Sequence, residues 1–133
     1  MTISFFKECR LPTSTAQQRK FTRFGSYLPD AGKYAKAFWQ AVMEGQKPEA
    51  PFKGPVRVKV VLHYPHTQKT VRQATADNLR VAKTSRPDLD NASKMILDAM
   101  TKAGYWADDS QVYSLAIEKY HCDMTGVQVE VTP

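Results

Sequence analysis

Apolar and polar residues alternate with period two in several stretches of this chain and repeat with a helical period in two others. In residues 56–64, Val56, Val58, Val60, Leu62 and Tyr64 fall on one side and Arg57, Lys59, Val61 and His63 on the other. That pattern predicts a strand with one buried face and a basic opposite face. Residues 3–9 mix β-branched and aromatic side chains and suit a first strand. Residues 111–121 have a strand pattern, and 126–131 alternate Val127, Val129 and Val131. Residues 123–126, Asp-Met-Thr-Gly, read as a short hairpin connection between these last two strands. The clearest helix is 89–103, where Ala92, Met95, Ile96, Ala99, Met100 and Ala103 form one apolar stripe and Asn91, Lys94, Asp98 and Lys102 lie opposite. Asp90 suits its N-cap and Gly104 its stop. A second helix is predicted over 31–44, with Tyr34, Phe38 and Val42 at spacing four, Ala35, Trp39 and Ala41 widening the face, and Gly45 as C-cap.

The stretches between these elements differ in kind. Residues 12–26 are polar and basic and read as a loop, while 46–55 hold Pro48, Pro51, Gly54 and Pro55 and read as a connector. Residues 65–86 are long and basic, with Lys69, Arg72, Arg80, Lys83 and Arg86 against Asp77 alone. Loops this long usually carry function. The segment is read as a mobile basic arm or lid that grips phosphates, against the plainer reading of a solvated loop. The order β-α-β-arm-α-β-β, without internal repeats, predicts an α+β fold: a single domain over 1–133, with a mixed sheet of about four strands packed against two main helices.

Composition narrows the partners. The 133 residues suit one domain with a modest core, and 42% hydrophobic and 24% charged residues are ordinary for a globular chain. A net charge of +6 and a pI near 9.4 favour anionic partners such as nucleic acid. Cys9 and Cys122 are too few and too far apart for a disulfide framework. The N-terminus has no apolar signal core, and no apolar run approaches the roughly 20 residues that span a membrane. A cytoplasmic protein with reduced thiols is expected.

Against this basic background, acids gather at both ends of the clearest helix. Arg86-Pro87-Asp88-Leu89-Asp90-Asn91 is followed by Lys94 and then, past Gly104, by Asp108-Asp109-Ser110-Gln111. In an extended segment Asp88 and Asp90 face one way while Leu89 turns inward, and Lys94 lies one helical turn past Asp90. Such carboxylates suit Mg²⁺ or Mn²⁺, which take oxygen ligands and keep open water positions. With basic residues to hold phosphates, the chemistry expected is metal-assisted phosphodiester hydrolysis. The plain reading of each residue is a helix cap, a favourable charge at a helix N-terminus, a solvated turn or a Lys94 ion pair. An EF-hand is excluded by Ala92 and Ser93, where an acid and a glycine are required. A helix of about 14 residues spans on the order of 20 Å. Asp109 therefore meets Asp88 and Asp90 only if the Asp88 segment bends towards the helix C-terminus or a symmetry mate completes the site; the sequence leaves both routes open.

At these residues the chain resembles the RusA family of Holliday junction resolvases, small dimeric endonucleases frequent in phages and prophages. The likeness is carried by 86–119: Arg86-Pro87-Asp88-Leu89-Asp90-Asn91, Lys94, Asp98-Ala99-Met100, residues 101–106, Asp108-Asp109-Ser110-Gln111-Val112 and Lys119. The N-terminal half departs from the family pattern. The resemblance implies metal ligation by Asp88, Asp90 and Asp109, with Lys94 stabilising charge in the transition state. It also implies Mg²⁺-dependent, symmetric paired cleavage of four-way-junction DNA by a homodimer. Lys69, Arg72, Arg80, Lys83 and Arg86 are the expected DNA-backbone contacts. Two other functions fit the same residues: a non-catalytic junction-binding protein with a relic site, and a broader branched or single-strand nuclease. Separately, His63, His66, His121 and Cys122 form a weak zinc pattern. Trp39 and Trp106 suit base stacking less well than core or dimer packing.

Overall fold

The computed structural model describes residues 1–11, 20–22, 25–27, 34–74 and 79–133, and the side chains of 20–22, 25–27 and 34–37 are not part of that description. The chain forms an α+β domain. Its strands are β1 (Ile3–Glu8), β2 (Lys20–Thr22), β3 (Gly25–Tyr27), β4 (Val56–Pro65), β5 (Val81–Ala82), β6 (Val112–Cys122) and β7 (Gly126–Thr132). Its helices are α1 (Tyr34–Glu44), α2 (Gln68–Gln73) and α3 (Leu89–Ala103). A mixed five-stranded sheet has the order β1-β7-β4-β6-β5, and β2 with β3 makes a separate two-stranded ribbon.

Strand β4 is the axis of the sheet. It pairs parallel with β6 and antiparallel with β7, so both of its edges are satisfied. Its alternation is the one read in the sequence: Val56, Val58, Val60, Leu62 and Tyr64 are buried. They meet Phe38, Ala41 and Val42 of α1 and Ala92, Ile96, Ala99 and Met100 of α3 in one core. Val127, Val129 and Val131 of β7 and Ile3 of β1 complete it. Burial of these side chains contributes roughly 1.5–3 kcal/mol each. The register puts Arg57, Lys59 and Glu130 on the opposite face of the sheet.

Four expectations change. The 123–126 link is not a hairpin, because β4 lies between β6 and β7. Four residues reach across one strand, roughly 10 Å, with little slack. The 12–26 loop contains β2 and β3, while 12–19, 23 and 24 lie outside the described residues. The second helix is described from Tyr34 onward; 31–33 lie outside the described residues. Finally, 65–86 is not an uninterrupted loop. Thr67 caps α2 through a reciprocal hydrogen-bond pair with Thr70, and β5 pairs with Tyr120 and His121 of β6. Residues 75–78, with Asp77, lie outside the description.

Gly126, at the start of β7, sits where a side chain has no room. A Cβ there would overlap the Lys7 carbonyl oxygen and stand 3.0 Å from the Glu8 Cα, both backbone atoms of the paired strand. Gly126→Ala is therefore expected to destabilise the fold by about 1–3 kcal/mol. The check is the urea midpoint of unfolding, which should fall with an unchanged slope.

Candidate active site

The acidic motif sits on a segment tied to the sheet. After β5, the Lys83 N–H donates to the Lys119 carbonyl at 3.2 Å. The Lys83 ammonium donates to Ser85 Oγ at 2.7 Å and lies 4.8 Å from the centre of the Tyr64 ring. Lys119 Nζ then donates to the carbonyls of Ser85 and Pro87, each at 2.6 Å. Lys119 shares the core-facing register of β6 with Leu115 and Ile117, opposite Leu62 of β4. Burial lowers its pKa, against the attraction of Asp88. The pKa of Lys83 is lowered too, by burial and then by the charge of Lys119. The Arg86–Pro87 peptide bond is cis.

Asp88 follows directly. It is the N-cap of α3 in place of the Asp90 expected from sequence: its backbone is extended, and its carbonyl accepts from Ala92 N at 2.9 Å. Its side chain makes no capping hydrogen bond, so the carboxylate is exposed rather than spent on the helix. Leu89 is already helical, so the predicted extended Asp88–Asp90 stretch is confined to Asp88. Asp90 is exposed in the first helical turn, where the helix field favours anions. Lys94 is exposed one turn on and makes no ion pair within 4 Å among the described residues. Asp98 pairs instead with Lys102, at 3.0 Å. That contact is exposed and worth only a few tenths of a kcal/mol.

The far end of α3 is built differently. Gly104 closes it in the left-handed conformation at φ 94°. Tyr105 and Trp106 are fully buried. The Tyr105 hydroxyl donates to Val42 O at 2.8 Å and Trp106 Nε1 to Thr101 Oγ1 at 2.7 Å. Trp106 is thus a core residue, and Trp39 packs half-buried against the same core. Residues 109–111 form one 3₁₀ turn capped by Asp108, whose carboxylate accepts from Ser110 N at 2.9 Å. That backbone hydrogen bond lowers the Asp108 pKa. Gln111 Oε1 accepts from Ala107 N and Asp108 N at 2.9 Å each. Its Nε2 donates to Phe52 O at 2.7 Å and Gly54 O at 2.9 Å. Asp108 and Gln111 thus build the turn, and it presents the exposed Asp109 carboxylate.

The two ends do not meet in one chain. The Asp88 segment is tied to Lys119 near the end of β6, whereas Asp109 precedes its first residue. From Val112 to Lys119 the strand rises roughly 23 Å, and the 15 residues of α3 span about the same. Accordingly, no three His, Cys, Asp or Glu side chains gather to hold a metal among the described residues. The donor chemistry suits a hard cation, but a single chain does not assemble all three donors. The zinc pattern also dissolves: neighbouring His121 and Cys122 point to opposite faces of β6. Cys122 Sγ lies 3.0 Å from His63 Nδ1, while His121 Nδ1 lies 2.9 Å from Pro65 O beside the His66 ring.

The basic residues are spread. Lys69 and Arg72 are exposed on α2, Arg86 is exposed beside Asp88, and Arg80 stacks 4.3 Å over the Tyr120 ring. Lys119 was part of the recognised motif without an assigned role. Its one sequence signal was a cation on the apolar face of a strand pattern.

The comparisons with known proteins agree with this architecture. The family profile for Endodeoxyribonuclease RusA matches residues 11–132, well beyond the 86–119 motif. The chain belongs to the RusA family. It is 46% identical over 50 residues to a protein of Lactococcus phage r1t named Crossover junction endodeoxyribonuclease rusA, a match spanning 38% of each chain. It is 31% identical over 109 residues to the Bacillus subtilis protein YqaN, covering 77% of this chain and 75% of that one. A protein of Enterobacteria phage 82, also named Crossover junction endodeoxyribonuclease rusA, is 25% identical over 108 residues, covering 81% and 76%.

Loss of the Lys119 ammonium is expected to loosen the Asp88 segment without unfolding the domain. In Lys119→Met, deuterium uptake should rise over residues 84–90, with a global stability loss of about 1–3 kcal/mol. Lys119→Arg, which retains a charged donor, should restore protection.

Proposed function

We propose that this protein is a divalent-metal-dependent endonuclease that resolves four-way DNA junctions by paired phosphodiester hydrolysis in the bacterial cytoplasm. The observation that carries the reading is the division of labour in the motif: Asp108, Gln111 and Lys119 are consumed in building, and Asp88, Asp90 and Asp109 are left exposed. A fold that needed these acids only as caps would spend all of them. Membership of a family described as endodeoxyribonucleases supports the same conclusion, as do the printed names of the phage relatives and a charge of +6.

In this reading Asp88 and Asp90 hold Mg²⁺, or Mn²⁺ in its place, together with Asp109 supplied by a second copy of the chain. When bound, such a cation supplies charge stabilisation to the phosphodiester and a nucleophile near neutral pH. The chain's own groups do the rest. Lys94, free of an intrachain ion pair within 4 Å, places a positive charge one turn from Asp90, where it offsets charge growing on the phosphate. Lys83 and Arg86 flank the carboxylates and hold the DNA backbone, with Lys69, Arg72 and Arg80 further along the same segment. Lys119 touches no reacting atom in this scheme; it positions the Asp88 segment through two carbonyls.

A synthetic four-way junction with Mg²⁺ tests the proposal. Wild type should cut opposing strands symmetrically, and EDTA should abolish cutting. Asp90→Asn should bind the junction but cut at least about 100-fold more slowly, since loss of even a supporting group at a metal site costs 10–100-fold. Binding without cutting by wild type, or equal cutting by the variant, would refute the catalytic claim. Equal cutting of linear or flapped DNA would replace resolution with a broader nuclease activity.

A further inference from the structure

Strand β6 carries an edge that nothing pairs among the described residues. One side of the strand is bonded to β4 along its length, while β5 covers only Tyr120 and His121 on the other side. The Lys83 N–H adds a contact at Lys119. Residues 112–118 thus present a row of unpaired backbone donors and acceptors. Their sequence, Val-Tyr-Ser-Leu-Ala-Ile-Glu, holds no proline and one charge. Edges left bare are normally shortened, bulged or guarded by charge, because they pair with other chains.

Two further observations describe the missing neighbour. Val112, Leu115 and Ile117 pack against the core yet are only partly buried, whereas the β4 residues at the same level, Val56, Val58 and Val60, are at 0–1% exposure. An apolar strip on the core side of this edge therefore lacks cover. The edge is also polar end to end. Asp108 and Asp109 precede it, while Lys83, Arg86 and Lys119 gather at its far end with Asp88. Such an edge complements itself when turned through 180°.

We propose that β6 pairs antiparallel with β6 of a second copy across residues 112–118, joining the two sheets into one. A two-fold axis near Leu115, the midpoint of the unpaired stretch, opposes Val112 to Glu118 of the second copy. β5 ends the pairing at both sides. The 3₁₀ turn bearing Asp109 then lies against the Lys83–Asp88 segment of the second copy. Acid meets base along the edge, and Asp109 of each chain reaches the end that holds Asp88 and Asp90 of the other. The same contact closes the bare edges, covers the apolar strip and assembles two identical sites, as an isologous interface requires. This inference rests on the shared-site reading above and adds the surface that produces it.

The test combines oligomeric state, crosslinking and complementation in the full-length protein. Sedimentation of wild type should give a dimer at micromolar concentration, and Ile117→Lys should shift it to monomer and lower junction cleavage at least tenfold. Because that variant risks misfolding, single cysteines are placed at Ser114, Leu115 and Ala116. At least one should form an intersubunit disulfide under mild oxidation, since residues facing each other across an antiparallel pair have Cα atoms roughly 4.5–5.5 Å apart. A cysteine at Glu130, on the opposite sheet face, should not. Finally, Asp90→Asn and Asp109→Asn are mixed. Each alone is inactive, but half of randomly mixed dimers hold one intact site, so nicking returns to about a quarter of the wild-type rate without paired cutting. A monomeric wild type, crosslinking only at position 130, or no complementation from two soluble inactive variants would overturn the inference. A crosslinked dimer that never cuts DNA would leave the interface standing and sink the nuclease reading. A monomer that resolves junctions would do the reverse.

Discussion

Two neighbouring strands that run parallel cannot be joined by a tight turn; the chain must travel back to the starting edge before the second strand begins. Here the parallel pair is β4 and β6, and α3 makes the return journey. It begins beside the end of β6 and stops beside its start. Every residue at the mouth of the helix is thereby held apart from every residue past its tail. The separation of Asp88 and Asp90 from Asp109 follows from this single topological demand. It is also why a motif contiguous in sequence is divided in space.

Much of this was legible in the residues. The helix 89–103 emerges with the limits its apolar stripe implies, and the alternation from Val56 to Tyr64 names the central strand and its buried face. Other features were silent for physical reasons. Alternation tells which face a strand buries but not which strand lies beside it, so Asp123–Gly126 looked like a hairpin although β4 intervenes. Strand β5 has two residues, too few for a period. Helix α2 has six residues, and its cap relies on Thr70 where a glutamate or glutamine would have signalled it. The site was half legible. Residue types marked the acids, but a side chain's spare hydrogen-bonding capacity appears only once its neighbours are known. Asp108 and Asp109 are chemically alike in the sequence and opposite in use: one turned back to cap its own backbone, the other left exposed.

The scaffold around the acids relies on carbonyl groups rather than charge pairs. Lys119 and Gln111 each bind two backbone oxygens, at 2.6–2.9 Å, and so fix main chain rather than side chain. Holding the backbone leaves neighbouring carboxylates unneutralised. An ion pair to Asp88 or Asp109 would have fixed the same loops while consuming the groups that give them chemical use.

The crossover also has an arithmetic. Fifteen helical residues at about 1.5 Å and seven strand steps at about 3.3 Å both measure roughly 22–23 Å, so α3 and β6 are cut to a common length. One further helical turn adds about 5.4 Å and would need close to two more strand residues to match it. Two residues preserve the alternation of faces, whereas one would turn Leu115, Ile117 and Lys119 away from the core. Length changes tolerated within this fold should therefore come in pairs, three or four residues in the helix with two in the strand. That pairing gives the lineage a discrete set of permitted spacings rather than a continuous one.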